Sequence, residues 1–232
     1  MPKPQKSAKA RGNEERVPSG IPGLDNLMEG GFIQNDIYLV TGGTGTGKTL
    51  FCCQFLWEGL QRGENGIFFS LEEIPEDVLS DAMDFGWDFQ KYIDQKKFIM
   101  QYYDPFEMVD ITTEVKEMIK KFNAKRIVID STSIFGMFLQ NEQEIRKAIY
   151  NLIKALKGID AVVLMTAEVL EGSKRLSRYG VEEFVVDGVI LLNYLGVGEL
   201  SSRSLLIRKM RRTNHGKESY ILDITKSGMT IS

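Results

Sequence analysis

Short apolar runs alternate with amphipathic segments along most of the chain. Runs of Val, Ile and Leu without a polar residue at every second position indicate strands that are buried on both faces. Between these runs, apolar residues recur at the three- and four-residue spacing of a helix that packs on one side. Strands are predicted at 36–41, 66–71, 97–103, 126–130 and 161–166, and helices at 48–62, 75–85, 110–122 and 143–157.

This alternation predicts an α/β fold, because parallel neighbouring strands need helical crossovers. The last quarter of the chain differs, since its strand candidates follow one another without a helical segment between them. These candidates lie at 188–194, 204–210, 218–224 and 229–232. We therefore expect a mostly parallel twisted sheet, flanked by helices, with an antiparallel C-terminal extension.

The chain has 232 residues, of which 43% are apolar. A chain of this length can bury one full hydrophobic core. Residues 1–16 have no periodic apolar pattern and are rich in Lys, Pro and small residues, which is typical of a flexible basic tail. We expect this tail to precede a single domain at 17–232, which opens with a short helix at 21–27.

The net charge of −3 conceals segregated charges. Residues 1–12 and 201–217 together carry ten cations and no acid, and the other residues carry 19 cations against 32 acids, a net charge of −13. Basic blocks of this kind often contact anions.

Composition also excludes several classes of site. The only histidine is His215 and the only cysteines are Cys52 and Cys53, so His-based metal clusters, Ser-His-Asp triads and disulfide frameworks are not expected. No apolar run approaches the roughly 20 residues of a membrane span. The first residues also lack the apolar stretch of a signal peptide. We expect a cytoplasmic protein without membrane contact.

The strongest motif is GGTGTGKT at 42–49, which matches the phosphate-loop pattern G-x-x-x-x-G-K-[ST] in full. A predicted strand precedes it and a predicted helix follows it. Glycines let backbone N–H groups converge on an anion, and the helix N-terminus adds partial positive charge. Lys48 is expected to reach the β- and γ-phosphates of a nucleotide, and the Thr49 hydroxyl to ligate Mg²⁺. The predicted nucleotide-binding residues here are Gly43, Thr44, Gly45, Thr46, Gly47, Lys48, Thr49 and Leu50.

Three carboxylates follow predicted strands. Asp130 ends the run RIVID and fits the outer-shell partner of a nucleotide-bound Mg²⁺. Glu72 and Glu73 follow the second strand, at the carboxyl end where open α/β sheets bind ligands. A carboxylate there can activate an attacking water. The alternative for this Glu-Glu pair is two solvated charges that open a loop.

Together these residues resemble the single-domain KaiC-like ATPases of the RecA/RadA superfamily, over about 17–231. The opening VPSGIPGLDNLMEGG and the run FFSLEE are similar to that family. The more distinctive segments are RYGVEEFVVDGVILL and RKMRRTNHGKESYILDITKSGMTI. The resemblance implies a RecA-like P-loop NTPase core that hydrolyses ATP with Mg²⁺. It also implies a homo-oligomeric ring, a hexamer, with ATP between subunits.

The resemblance assigns roles to further residues. Glu72 would be the catalytic glutamate and Glu73 its neighbour in hydrolysis. Lys209 and Arg211 would form the family's K-x-R element, which touches the γ-phosphate in the adjacent subunit. On a strand these two positions face the same way, so both cations can meet one phosphate. The remaining positions are Thr213 and His215 in the same inter-subunit site, and Ile224 and Lys226 near the base. The alternative for 208–217 is a solvated basic loop or a nucleic-acid patch.

The chain departs from the family pattern after the K-x-R element, where Gly is usual and Arg212 stands instead. Its charge could contact the nucleotide or a neighbouring acid. Glu183 and Phe184 occupy the positions of the Ser-Thr pair that is autophosphorylated in the second domain of the full-length clock protein. We therefore expect hydrolysis without autokinase activity.

Two other functional interpretations stay open. The superfamily also contains recombinases, and Arg175, Arg178 and Tyr179 lie in the loop that would be the best nucleic-acid candidate. A RadA-paralogue-like protein that binds single-stranded DNA with ATP is therefore one alternative. A slow ATP-dependent switch with a signalling or regulatory role, and a protein partner that the sequence does not identify, is the other.

Overall fold

The computed structural model describes residues 14–104, 111–170, 172–173, 175–195 and 202–232. Its strands are β1 (Arg16–Val17), β2 (Phe32–Ile33), β3 (Ile37–Gly42), β4 (Gly66–Ser70), β5 (Phe98–Tyr102), β6 (Arg126–Asp130), β7 (Val162–Glu168), β8 (Gly188–Leu195), β9 (Ser202–Met210), β10 (Ser219–Thr225) and β11 (Gly228–Ile231). Its α-helices are α1 (Lys48–Gln61), α2 (Pro75–Asp84), α3 (Phe89–Asp94), α4 (Ile111–Phe122), α5 (Phe135–Phe138), α6 (Glu142–Leu156) and α7 (Glu182–Val185). Short 3-10 turns lie at Asp25–Met28 and Thr132–Ile134.

A nine-stranded sheet organises the molecule, in the order β11-β10-β9-β8-β3-β7-β6-β4-β5. The six strands from β8 to β5 run parallel. Strands β9, β10 and β11 continue the sheet in antiparallel fashion. A separate antiparallel pair joins β1 to β2. The predicted α/β class, with its mostly parallel sheet and antiparallel C-terminal extension, is confirmed.

One strand of the predicted extension runs the other way. The pattern assigned 188–194 to the antiparallel part, but β8 pairs in parallel with β3. The segment between β7 and β8, which contains α7, is long enough to bring the chain back to the end of the sheet where the parallel strands begin. A parallel connection needs such a crossover of about a dozen residues.

Helices cover both faces of the sheet. On β3, Tyr38 and Val40 pack on one side, with Phe51 and Phe55 of α1. Alternate residues of the same strand, such as Leu39, pack on the other side against α4 and α6. This two-residue alternation buries β3 completely and explains its continuous apolar run. Among the described residues, no helix is both long and apolar enough to cross a membrane.

The parallel strands give the sheet two distinct ends. The carboxyl ends of β3, β4, β6 and β7 meet at what we call the P-loop end. The amino ends of the same strands define the opposite end. Because β9 is antiparallel to β8, its first residue Ser202 lies toward the P-loop end and its last residue Met210 lies at the opposite end.

Candidate nucleotide-binding site

The GGTGTGKT segment runs from Gly42, the last residue of β3, through the turn at 43–47 into Lys48 and Thr49, the first residues of α1. Gly45 and Gly47 have φ angles of 74° and 99°, in the left-handed region that favours glycine. The Lys48 ammonium donates hydrogen bonds to the carbonyls of Gly42 at 3.2 Å and Gly43 at 3.0 Å. The lysine thus folds back over the loop, where it can also approach an anion held by the backbone N–H groups.

The remaining loop residues differ in exposure. Thr44 is exposed at the apex, whereas Thr46 is buried and donates a hydrogen bond to the Gly43 carbonyl at 2.9 Å. Leu50, in the first turn of α1, is partly buried against the core. Residues 43–50 therefore form one continuous turn and first helical turn, with Thr44 exposed, Thr46 buried and Leu50 packed against the core.

Thr49 and Asp130 are brought together from distant parts of the sequence. The Thr49 hydroxyl donates a hydrogen bond of 2.7 Å to Asp130 Oδ2, and the Thr166 hydroxyl donates to Asp130 Oδ1. Burial raises the pKa of Asp130, while the bonds from Thr166 and Thr49 favour its ionised form. The end of β6 thus presents a carboxylate that two hydroxyl groups hold in place.

These groups suit a hard divalent cation. Mg²⁺ prefers oxygen ligands and is usually bound by one or two carboxylates or hydroxyls together with substrate phosphates and water. The paired oxygens of Thr49 and Asp130 match that donor set beside the phosphate loop. Within the described ranges, no three His, Cys, Asp or Glu side chains form a group that could hold a metal by themselves.

Glu72 lies beside Asp130, since β4 and β6 are neighbours in the sheet. Its Oε1 accepts a hydrogen bond from the Ser131 hydroxyl. The residue as a whole is exposed, but protein atoms crowd its carboxyl group, and this partial burial raises its pKa. The Ser131 bond opposes that rise, while the charges of Asp130 and Glu168 add to it.

Glu73 is exposed on the same loop. Partial burial of its carboxyl group, followed by repulsion from Asp130 and Asp81, raises its pKa. The Ser70 hydroxyl donates to the Glu73 backbone carbonyl and thereby holds the loop after β4. Glu72 and Glu73 therefore both belong to the P-loop end, and Glu72 has the closer connection to Asp130.

The structure adds residues that sequence reasoning did not single out. Glu168, at the end of β7, accepts a hydrogen bond from Thr44 Oγ1 at 3.1 Å. Tyr194 and Arg203 both donate to the carbonyl of Gly45, at 2.6 Å and 3.3 Å. The rule that ligands bind at the carboxyl ends of parallel strands would have pointed to Glu168 and Thr166. No sequence signal connects Arg203 to the loop apex, because that contact depends on strand order.

Ile224 and Lys226 also lie toward the P-loop end. Ile224 is partly buried near the end of β10, and a side chain built on Gly47 would meet its Cδ1 at 3.7 Å. Lys226 is exposed in the turn between β10 and β11. Both residues are therefore on the side of the chain's own phosphate loop.

Lys209 and Arg211 lie at the opposite end of the sheet. On β8, Leu192 faces Gly42 of the P-loop, whereas Lys209 faces Val189. These positions are about 10 Å apart along the strand at roughly 3.3 Å per residue, and Arg211 is farther still. Neither cation is therefore in position to reach the phosphate loop of its own chain.

Local contacts hold both cations at that end. Lys209 Nζ donates to the carbonyls of Glu183 at 2.9 Å and Val186 at 2.7 Å. Partial burial and the nearby Arg211 charge lower its pKa. Arg211 NH1 donates to Asp187 Oδ1 at 3.3 Å.

Thr213 and His215 follow in the same region. Thr213 Oγ1 accepts a hydrogen bond from Arg16 at 2.9 Å, and the His215 ring contacts the Gly216 carbonyl at 2.7 Å. The predicted nucleotide residues therefore divide into two groups at opposite ends of one chain.

Arg212 contacts neighbouring acids. Its NH2 donates to Asp36 Oδ1 and its NH1 donates to Glu14 Oε1 at 3.1 Å. Its φ angle is 59°, the left-handed conformation that glycine adopts more readily. Of the two interpretations of this residue, the neighbouring-acid one describes its contacts here.

The comparisons with known proteins decide the family. Residues 17–232 match the family model for the KaiC ATPase. The chain belongs to the KaiC-like ATPases. It is 34% identical over 233 residues to a UPF0273 protein of Pyrococcus furiosus, covering 93% of each chain. A crystal structure of a KaiC-like protein from Pyrococcus horikoshii OT3 is 38% identical, with a TM-score of 0.87 over 94% of this chain and 99% of that one.

Two cyanobacterial KaiC proteins are longer than this chain. The circadian clock oscillator protein KaiC of Synechococcus elongatus is 37% identical over 223 residues, which are 91% of this chain and 43% of that protein. The circadian clock protein KaiC3 of Synechocystis is 33% identical over 229 residues, 94% of this chain and 45% of that protein. The chain therefore spans less than half of each, and shares with them a P-loop ATPase domain of the RecA type.

Proposed function

We propose that this KaiC-like protein hydrolyses ATP, with Mg²⁺, at sites formed between subunits of a ring, which the family resemblance implies to be a hexamer. The observation that carries the proposal is the division of the site. The phosphate loop lies at one end of the sheet, and Lys209 and Arg211 lie at the other. A second copy that presents its opposite end to the P-loop end of the first would complete the site.

Each group then has a defined task. Lys48 and the loop N–H groups hold the β- and γ-phosphates. Glu72 orients and deprotonates the attacking water, with Glu73 beside it. Lys209 and Arg211 of the neighbouring copy neutralise charge that develops on the γ-phosphate, with Thr213 and His215 lining the same interface. Ile224 and Lys226 contact the base.

Mg²⁺ would be held by Thr49 directly and by Asp130 in its outer shell, where it would neutralise phosphate charge. The hydrogen bond of 2.7 Å between these side chains supports this assignment. The raised pKa of Asp130 supports it too, because a cation nearby would offset the cost of the buried charge.

Mixing two inactive variants tests catalysis between subunits. Arg211→Ala keeps its phosphate loop but offers no arginine to its neighbour, and the loss is expected to be about 10³-fold. Glu72→Gln keeps Arg211 but lacks the proposed base. In an equimolar mixed ring about one quarter of the sites pair an intact P-loop chain with an intact arginine donor, so phosphate release should recover to roughly that fraction.

Light scattering on the same samples provides the control, because the variants must assemble as the unmodified chain does. Assembled mixtures that release no more phosphate than either variant alone would contradict catalysis in trans. Activity of Glu72→Gln alone would instead contradict the role of Glu72.

The alternative of an ATP-dependent protein that binds single-stranded DNA is not favoured. The family match over 17–232 is to KaiC. In the candidate DNA loop, Tyr179 is 9% exposed and donates to the Ser133 carbonyl, so its ring is not free to stack on bases. Arg175 and Arg178 pair with Glu142 and Glu168.

We extend the proposal to a regulatory or signalling role in the cytoplasm. The cyanobacterial relatives are named as circadian clock proteins. A site that exists only between subunits couples the nucleotide to assembly, so hydrolysis can change the state of the ring. Autokinase activity is not proposed, because Glu183 and Phe184 stand where a phosphate acceptor would be needed.

A further inference from the structure

Lys209 and Arg211, the two cations proposed to act on the neighbouring subunit, both form hydrogen bonds with one short segment, 183–187. Lys209 Nζ is held by the carbonyls of Glu183 and Val186. Arg211 is held by Asp187 twice, through its backbone N–H at 2.9 Å and its guanidinium NH1 at 3.3 Å. The turn from α7 into β8 thus holds both Lys209 and Arg211 in place.

Asp187 is itself fixed. It is 6% exposed, and its Oδ2 accepts hydrogen bonds from the Ile37 backbone N–H at 3.1 Å and from Lys157 Nζ. One carboxylate oxygen is therefore anchored to β3 and to the residue that follows α6. The other oxygen is left to orient Arg211.

The Arg211 side chain remains half exposed, at 50%. Its guanidinium has five N–H donors, and Asp187 engages one of its nitrogens. Because Lys157 shares the single negative charge of Asp187, the three side chains keep a net positive charge. Arg211 is thus oriented without being neutralised, which is what a partner phosphate needs.

We propose that Asp187 is a positioning residue for catalysis in the neighbouring subunit: it fixes Arg211 in the orientation that meets the neighbour's γ-phosphate, without touching the nucleotide. The proposal rests on the proposed inter-subunit site. A held guanidinium loses less conformational freedom when it binds phosphate than a free one does.

The mixed ring separates this role from a structural one. An Arg211→Ala chain supplies the active P-loop, and a Glu72→Gln chain supplies Arg211. With Asp187→Asn added to the arginine donor, kcat at the mixed sites is expected to fall about tenfold, because a misplaced group weakens catalysis steeply. The KM for ATP should stay unchanged, since the phosphate loop belongs to the other chain.

The same substitution in the Arg211→Ala chain should have no effect, because the arginine that Asp187 orients is already absent there. A matched control is Asp160→Asn in the donor, since Asp160 is also paired with a lysine, Lys125, and precedes the first residue of β7 at the same end of the sheet. This control should leave the recovered activity intact.

Two results would overturn the proposal. One is full recovery with Asp187→Asn in the donor. The other is an equal loss whichever chain carries Asp187→Asn, which would indicate a general structural role. Absence of recovery in the reference mixture, with Asp187 unchanged, would instead overturn the inter-subunit site and this inference with it.

Discussion

Hydroxyl groups donate hydrogen bonds to two of the three carboxylates in the candidate site. Burial is the main cause of the raised pKa values of Glu72, Glu73 and Asp130; the charge of Asp130 adds to the rise at Glu72 and Glu73, and that of Glu168 adds to the rise at Asp130. Ser131 donates to Glu72, and Thr49 and Thr166 donate to Asp130. Hydrogen bonds to the ionised form oppose the rise in pKa. Ser131 therefore helps to keep Glu72, the proposed base, ionised, whereas Thr49 and Thr166 favour the ionised form of Asp130.

The first prediction concerns Ser131. As a general base, Glu72 must be ionised, so kcat should fall as the pH drops through its raised pKa. Ser131→Ala removes a bond that favours the ionised form, and the pKa should rise further. The acidic limb of the pH–kcat profile should therefore move to higher pH, which a steady-state phosphate-release assay across pH would measure.

Ser70→Ala is the matched control for that profile. Ser70 is a buried serine at the end of the adjoining strand β4, but its hydroxyl donates to the Glu73 backbone carbonyl and not to the Glu72 carboxylate. The acidic limb of the pH–kcat profile of Ser70→Ala should coincide with that of the unmodified chain. An unshifted limb in Ser131→Ala would rule out Glu72 as the titrating base.

At the scale of elements, the turn after β9 depends on an ion pair. Arg212 adopts a left-handed conformation that costs a non-glycine residue about 1–2 kcal/mol. It pairs with Asp36, which is 5% exposed. Burial, and then repulsion from Asp187, raises the pKa of Asp36, while Arg212 opposes that rise. The ion pair thus stabilises a backbone conformation that the residue itself disfavours.

The second prediction is that Arg212→Gly destabilises the fold even though it relaxes the backbone. Removing one partner of a buried charge pair costs about 3–5 kcal/mol when both are buried. Arg212 is half exposed, so we expect a smaller net loss, of roughly 1 kcal/mol after the backbone gain. The urea midpoint at neutral pH measures it.

The pH dependence of that loss has a definite sign. Without Arg212, the folded-state pKa of Asp36 rises further, so protonation of Asp36 favours the folded state more strongly. The stability that Arg212→Gly loses relative to the unmodified chain should therefore become smaller as the pH falls through the folded-state pKa of Asp36. Arg212→Gly combined with Asp36→Asn should recover most of the loss at neutral pH. A double variant as unstable as Arg212→Gly would show that the ion pair is not the cause.

Elements with a clear hydrophobic pattern could be predicted from the sequence, and several short elements without one could not. The predicted boundaries of 126–130 agree fully with β6, and those of 48–62 differ by one residue from α1. The elements that were not predicted, β1, β2, α3, α5 and α7, have two to six residues, too few to show a clear period. Pattern also could not give the direction of β8, which depends on how the chain crosses the sheet.

The same limit applies to the candidate site. Residues 42–49 are contiguous, so their spacing alone indicates a phosphate loop. The contacts of Ser131 with Glu72 and of Thr44 with Glu168 join neighbouring strands that are far apart in sequence. Such contacts follow from strand order, which hydrophobic periodicity does not determine.

For the whole molecule, sheet topology gives the basic block at 201–217 two locations. Arg203 lies at the P-loop end, where it contacts Gly45. Lys209, Arg211 and Arg212 lie at the opposite end, near Asp187 and Asp36. One strand therefore connects the chain's own phosphate loop to the end that is proposed to face a neighbour. This arrangement is the one that the proposed inter-subunit site requires.

The third prediction follows from that arrangement: ATPase activity per chain should depend on chain concentration. A lone chain keeps its phosphate loop but has no neighbour to supply Arg211, so dilution below the assembly midpoint should lower activity toward the Arg211→Ala level, by up to about 10³-fold. Phosphate release and light scattering across one dilution series should share a midpoint.

Binding of a fluorescent ATP analogue is the control that distinguishes loss of catalysis from loss of folding. This binding should weaken less on dilution than activity does, because Lys48 and the loop N–H groups belong to one chain. Constant activity per chain while the assembly dissociates would contradict a site shared between subunits.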